Sequence, residues 1–199
     1  MFSHQLSPTK EKIYRAAATM FCAQSYDAVS MRDLARAVGI QHSSIYNHFQ
    51  GKKDILLDLY GIYSAERKKI LSYTESLLAE AETIPVDELL DMIDYHFDPE
   101  ITGFMNQILS IAVRCMPSDL DSKRFIADNV FVAHELLQPI LQKLIKIGRI
   151  EAFDTDAFCS VINHYCFSSV ALLATDMEVG TENWSKGLKY LYSTFIKPL

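Results

Sequence analysis

The chain has 199 residues, enough for a small domain joined to a larger one with a real core. Of these, 49% are hydrophobic and only 7 are glycine, which favours a helical globular protein over a disordered or β-rich one. The net charge of −6 is unevenly distributed: residues 1–53 hold seven Lys/Arg against three acids (+4), leaving 12 basic and 22 acidic residues (−10) for the remainder. No run reaches the roughly 18 apolar residues of a membrane span, the opening MFSHQLSPTKEK has no signal-peptide core, and Cys22, Cys115, Cys159 and Cys166 lack disulfide-framework or zinc spacing. The expectation is therefore a cytoplasmic protein with reduced, buried thiols.

In chain order, a first helix is expected from Thr9, read as its cap after Pro8, with Ile13, Ala16, Ala17, Met20 and Phe21 forming one apolar stripe. A second follows Ser30, an N-cap residue type, with Met31, Leu34, Ala35 and Val38 at helical spacing, and ends at Gly39, where positive φ costs nothing. A third, short helix starts near Gln41. Its Ile45 and Phe49 point inward, leaving Gln41, His42, Ser43, Tyr46 and Asn47 mostly outward. A fourth runs from Gly51-Lys52 to about Ala81, long enough to join a head to a body. Pro85 restarts the chain for a fifth through Phe97, and Asp98-Pro99 breaks it and caps a sixth to about Met116. A single seventh helix is expected to about Ile147, kinked at Pro139 because proline leaves the Glu135 carbonyl without its helical donor. An eighth covers about Asp154–Thr175 and a ninth about Glu182–Ile196.

Two short helices across a glycine turn, the second with a small polar outer face, form a helix-turn-helix whose second helix can enter a major groove. The charge split agrees, drawing one end of the chain to phosphate and keeping the other away from it. The stretch SMRDLARAVGI followed by HSSIYNHFQGKKDIL resembles the DNA-binding segment of the tetracycline-repressor (TetR) family of bacterial transcription regulators. The likeness covers roughly residues 9–57 and includes the Tyr-x-x-Phe pair closing the recognition helix, Tyr46 and Phe49, and the lysine opening the fourth helix, Lys52. Ser43-Ser44 departs from the family where Gly is common at the first position, and Gly51 stands where Ser is frequent. The fold expected is all-α, about nine helices. A three-helix helix-turn-helix head fills residues 1–51, and residues 52–199 make a larger effector-binding and dimerisation domain.

The function expected is a homodimeric repressor of a palindromic double-stranded DNA operator, released by a small apolar or aromatic effector; no membrane partner, cofactor or metal is expected. The alternative is a small-molecule sensing protein whose head contacts protein rather than DNA. Gln41, His42, Ser43, Ser44 and Asn47 are candidates for base edges or adjacent phosphates, and Arg32, Tyr46 and Lys52 for phosphate. Tyr60, Tyr63, His96, Phe97, Phe104, Met105, Ile108, Phe131, His134 and Leu137 are candidates for an effector cavity, with the two histidines as its polar points; satisfied core histidines are the competing reading. Arg114, on a row with Gly103, Gln107 and Ser110, either lines that cavity or faces water. Tyr165, Ser169, Leu172, Trp184, Leu188, Leu191 and Phe195, on the last two helices, are candidates for a four-helix dimer interface, as the family resemblance implies.

No catalytic constellation can be assembled, and an enzyme is not expected. Cys159, His164 and Cys166 cannot converge on one ion from a helix, because His164 points well away from the face the two cysteines share. Asp94, His96 and Asp98 fail similarly, since residues two apart on a helix diverge.

Overall fold

The computed structural model describes residues 7–95, 99–173 and 181–199, with side chains there except at 93–95, 99, 100, 169, 173 and 181–185. The helices are α1 (Pro8–Gln24), α2 (Met31–Ala37), α3 (His42–Ile45), α4 (Lys52–Glu80), α5 (Val86–Tyr95), α6 (Pro99–Cys115), α7 (Leu120–Asn129), α8 (Val132–Leu136), α9 (Gln138–Lys146), α10 (Thr155–Leu173) and α11 (Thr181–Phe195). The all-α class holds. No helix among the described residues is long and apolar enough to cross a membrane.

Two expectations about helix limits are corrected. The cap of α1 is Ser7 rather than Thr9: the Ser7 hydroxyl accepts from the Lys10 amide at 3.3 Å, and Pro8 takes the first turn, where its missing N–H is no loss. The segment expected as one kinked seventh helix is the three pieces α7, α8 and α9. The helix ends at Leu136 and restarts at Gln138, which puts Pro139 in the first turn of α9, where proline is tolerated. Before α8 the break is made from a distance. Asn163 of α10 accepts from the Ala133 amide at 2.8 Å and so caps a helix thirty residues away in sequence.

By packing, the chain divides into two compact units. The first comprises, among the described residues, 7–66 and 99–127, hence α1 to α3, the first half of α4, α6 and most of α7. Ile13, Ala17, Phe21, Leu34, Ile45, Ile55, Leu59 and Ile108 are fully buried at its centre. Polar ties hold its helices together. The Tyr14 hydroxyl donates to Asp58 at 2.6 Å, and burial, with that carboxylate beside it, raises the phenol's pKa. Lys53 pairs with Asp119 and, at 2.9 Å, with Asp121. Arg114 is half-buried and donates to the Cys22 carbonyl at the end of α1 at 2.6 Å, with Ser110 on the same row buried beside the Cys22 thiol.

The second unit comprises, among the described residues, 67–95, 128–173 and 181–199. Its core joins Leu77, Leu89, Leu137, Ile140, Leu141, Leu144, Phe158, Ile162 and Leu188. The last turn of α4 has no basic residue of its own. Lys143 donates to the Leu78 carbonyl at 2.7 Å, and Arg149 to those of Ala81 and Ile84 at 2.8 and 2.5 Å, so cations from α9 and its following loop satisfy the carbonyl end of the α4 dipole. Tyr165 of α10 packs so tightly on Gly187 of α11 that a Cβ there would meet the phenol oxygen at 2.2 Å. The cysteines are free, and burial pushes the Cys115 and Cys159 thiols up to about 11, which keeps both protonated and unreactive at neutral pH.

Lys52 is the central tie of the head. Its ammonium donates to the carbonyls of Tyr26 (2.6 Å), Val29 (2.8 Å) and Asp27 (3.4 Å), and lies 4.3 Å from the centre of the Tyr26 ring. Lys52→Met leaves those carbonyls without a cation and is expected to lower stability by about 2 kcal/mol in urea unfolding; an unchanged midpoint would mean that water serves the carbonyls equally well.

Candidate nucleic-acid interface

The geometry of the head starts at Ser30. Its hydroxyl accepts from the Asp33 amide at 3.2 Å while the Asp33 carboxylate accepts from the Ser30 amide at 3.1 Å, a reciprocal capping box that fixes where α2 begins. Hydrogen bonds from Ser30, with the Arg36 charge 3.3 Å away, hold the Asp33 carboxyl below its usual pKa. At the other end, Gly39 takes φ +73°, and the Ile40 amide returns to the Ala35 carbonyl at 3.0 Å. The turn therefore directs the chain into α3 without a strained side chain.

Only four residues long, α3 is held by what it buries. Ile45 is 0% exposed and Phe49, just beyond the helix, 3%. The Phe49 ring meets Tyr14 edge-on at 5.5 Å, with the Lys10 ammonium 5.0 Å from its centre. On the opposite side Gln41, His42, Ser43, Tyr46 and Asn47 are exposed and Ser44 is half-buried. Gln41 is the N-cap position of α3 but makes no side-chain capping bond there. The His42 and Tyr46 rings stand edge to face at 5.3 Å, bracing two of the exposed groups against each other. Arg32 and Arg36 are exposed on α2. The set offers amide, imidazole and hydroxyl groups able to pair with base edges, beside guanidinium groups able to meet phosphate. Lys52 opens α4 as expected, but its ammonium is occupied by the loop carbonyls between α1 and α2. Nothing in the sequence marked Lys10 as a partner of the Phe49 ring or Asp58 as part of the head, because each acts on a ring that is distant in sequence or turned inward.

The expected effector residues fall in both units. Tyr60, Tyr63, Phe104, Met105 and Ile108 are buried in the first, where Tyr60 stacks on Phe125 at 4.2 Å, meets the Ser122 hydroxyl at 2.8 Å, and has its pKa raised by burial. Phe131, His134 and Leu137 belong to the second, where Leu137 is in the core and Phe131 is 60% exposed. His96 and Phe97 lie outside the described residues, as does the Asp94, His96 and Asp98 group for its side chains. His134 has a partner on each nitrogen. The Asn163 oxygen is committed to the Ala133 amide, so its nitrogen donates to His134 Nδ1 at 2.7 Å, leaving Nε2–H to face Asp156 at 3.4 Å.

Among the expected dimer residues, Leu188 is buried in the core of the second unit, and Leu191 and Tyr165 pack against that core. Leu172 and Phe195 are exposed, joined by Val161 and Tyr190, which the sequence reading passed over. The side chains of Ser169 and Trp184 lie outside the described set. Cys159 is buried while His164 is exposed, its Nδ1 donating to the Ser160 carbonyl at 2.7 Å.

Comparison with known proteins agrees with this head. Residues 13–59 match the sequence profile described as bacterial regulatory proteins, tetR family. An uncharacterised HTH-type transcriptional regulator of Bacillus subtilis, YwcC, is 30% identical over 88 residues, 44% of this chain and 40% of that protein. The IcaR negative regulator of the biofilm operon in Staphylococcus aureus is 41% identical over 46 residues, 23% of this chain and 25% of that protein. The chain thus spans well under half the length of these curated relatives. A crystal structure of a γ-butyrolactone receptor, an ArpA-like protein, aligns over 96% of this chain and 89% of its own with a TM-score of 0.69 at 14% identity, a likeness of fold. The capped α2, glycine turn and one-turn α3 lie in the segment, residues 13–59, that is similar to the tetracycline-repressor family of bacterial regulators.

Proposed function

We propose that this protein is a homodimeric transcriptional repressor that binds a twofold-symmetric DNA operator through residues 1–51 and answers to a small apolar or aromatic effector through residues 52–199. The observation that carries the reading is the exposed polar set on α3, fixed from behind by Ile45 and Phe49 and flanked by Arg32 and Arg36. The charge of +4 over residues 1–53 against −10 over the remainder supports it, as does the negative regulation named for the staphylococcal relative. Gln41, His42, Ser43, Ser44 and Asn47 read base edges or neighbouring phosphates; Tyr46 and Arg32 bind phosphate. Lys52 contributes charge near the backbone and holds the loop behind α2. Each subunit presents Leu172 and Phe195, with Val161 and Tyr190, to its partner. An effector weakens DNA binding to the extent that it favours the state in which the two heads do not fit the operator.

Gel-shift titration against DNA from beside the protein's own gene tests the reading. A sequence-dependent shift is expected, with Arg32→Ala weakening all sequences and reducing the log–log salt slope by about one, and Gln41→Ala or Ser43→Ala altering preference among sequences. A shift indifferent to sequence at moderate salt would move the head to protein contacts. Phe195→Glu or Leu172→Glu is expected to convert the dimer to monomer in sedimentation; a dimer unaffected by both would place the interface elsewhere. Asp33→Ala is expected to lower the melting temperature at pH 7. Because the Asp33 carboxyl is held below its usual 3.8, its contribution is full above that value and is lost as pH falls through the lowered one, so melting of variant and parent should converge in acid.

A further inference from the structure

Arg67 lies four residues after the buried Tyr63 and seven before the buried Thr74 of α4, on the inward row of that helix. Its side chain is 16% exposed. A guanidinium stays charged at any ordinary pH, so its buried N–H groups need acceptors. Two lack them: Nε and Nη2 are shielded from solvent and have no hydrogen-bond partner. Among the described residues its ion-pair partner is Glu135 of α8, whose Oε2 is 2.5 Å from Nη2. That carboxylate is close in charge but off the N–H axis, so it leaves the donor unused. Nε and Nη2 are neighbours along one edge of the planar group, the fork that takes both oxygens of a carboxylate at once. Native interiors rarely leave such donors unmet, and an unmet pair on one edge has the shape of an unfilled ligand contact.

We propose that Arg67 is the anchor for a carboxylate on the effector, so that this protein responds to an organic acid; the inference rests on the effector reading above and names the chemical class. The Nε–H and Nη2–H groups donate in parallel to the two carboxylate oxygens. Glu135 is 42% exposed and sits on the five-residue α8, bounded by turns, so it can withdraw to water as the ligand's carboxylate enters. One negative charge replaces another beside one positive charge, and the buried guanidinium is never left unneutralised. A single guanidinium matches a single charge, which favours a carboxylate over a dianionic phosphate. Arg67 also corrects the polar anchor that the sequence suggested: His134 has both nitrogens engaged by Asn163 and Asp156, whereas Arg67 has donors to offer.

The test uses the full-length protein without DNA, titrated by calorimetry with acetate, hexanoate, decanoate and benzoate, each against its neutral amide. At least one carboxylate is expected to bind at least about tenfold more tightly than its amide. Arg67→Gln should weaken that acid about tenfold or more and leave the amide unchanged, with Arg67→Lys between the two. Glu135→Gln, which removes the competing resident carboxylate, should tighten it, a gain that a damaged fold cannot imitate. Acid and amide binding alike, no acid binding, or Arg67→Gln binding as the parent does would overturn the proposal. Gel shifts are run separately. A carboxylate held through Arg67 in a protein that ignores operator sequence upholds the site and removes the repressor reading; operator binding without any Arg67-dependent acid removes the site alone.

Discussion

A single helical turn fixes more backbone freedom than its own hydrogen bonds offset, and α3 has four residues. Everything on its outer face therefore depends on burial behind it. Ile45 and Phe49 supply that burial, Tyr14 supplies the wall on which Phe49 rests, and Asp58 fixes Tyr14 by its hydroxyl. Each step leads one layer further from the surface that would meet DNA. The Lys52 ammonium does the same for the loop ahead of α2, converting three carbonyls that would otherwise face outward into ligands of one cation. A small polar face can then be presented with little side-chain bulk, because its rigidity is supplied from below.

Features set by neighbours in sequence were legible. Ser30 as a cap, Gly39 as a left-handed turn and the inward pair Ile45 and Phe49 follow from spacing and residue type, and the structure contains all three. The failures have a common cause, which is capture by a group far along the chain. The break before α8 is made by Asn163, and Arg114 is taken up by a carbonyl of α1. Leu188 was read as interfacial from an apolar face that turns out to meet its own core. Periodicity identifies the apolar side of a helix but not which body covers it. The cap of α1 was missed for a smaller reason: Pro8 was treated as a residue before the helix, although the first turn is where proline fits best.

The candidate site shows the same division. The exposed residues on and beside α3 could be named because so short a segment, with Ile45 and Phe49 turned inward, has few others. Arg67 could have been flagged too, as a charged residue on an apolar row with Tyr63 and Thr74, although the unmet edge of its guanidinium is visible only with Glu135 in place. In the second unit polar groups work by closing helix ends. Lys143 and Arg149 terminate α4, and Asn163 starts α8 while orienting His134. Such contacts fix where helices stop, and a sequence pattern specifies that least well.

The ties within the first unit bear on how such proteins can be recombined. Lys53 with Asp119 and Asp121, and Arg114 with Cys22, bind α1 and the start of α4 to α6 and α7, segments more than sixty residues downstream. Cutting the chain at residue 51 to exchange heads would separate the Lys52 ammonium from the carbonyls of Tyr26, Asp27 and Val29 and strip α1 of the arginine at its carboxyl end. A chimera that respects these bonds has to carry residues 99–127 along with the head, so the transferable part is discontinuous in the gene although compact in the protein.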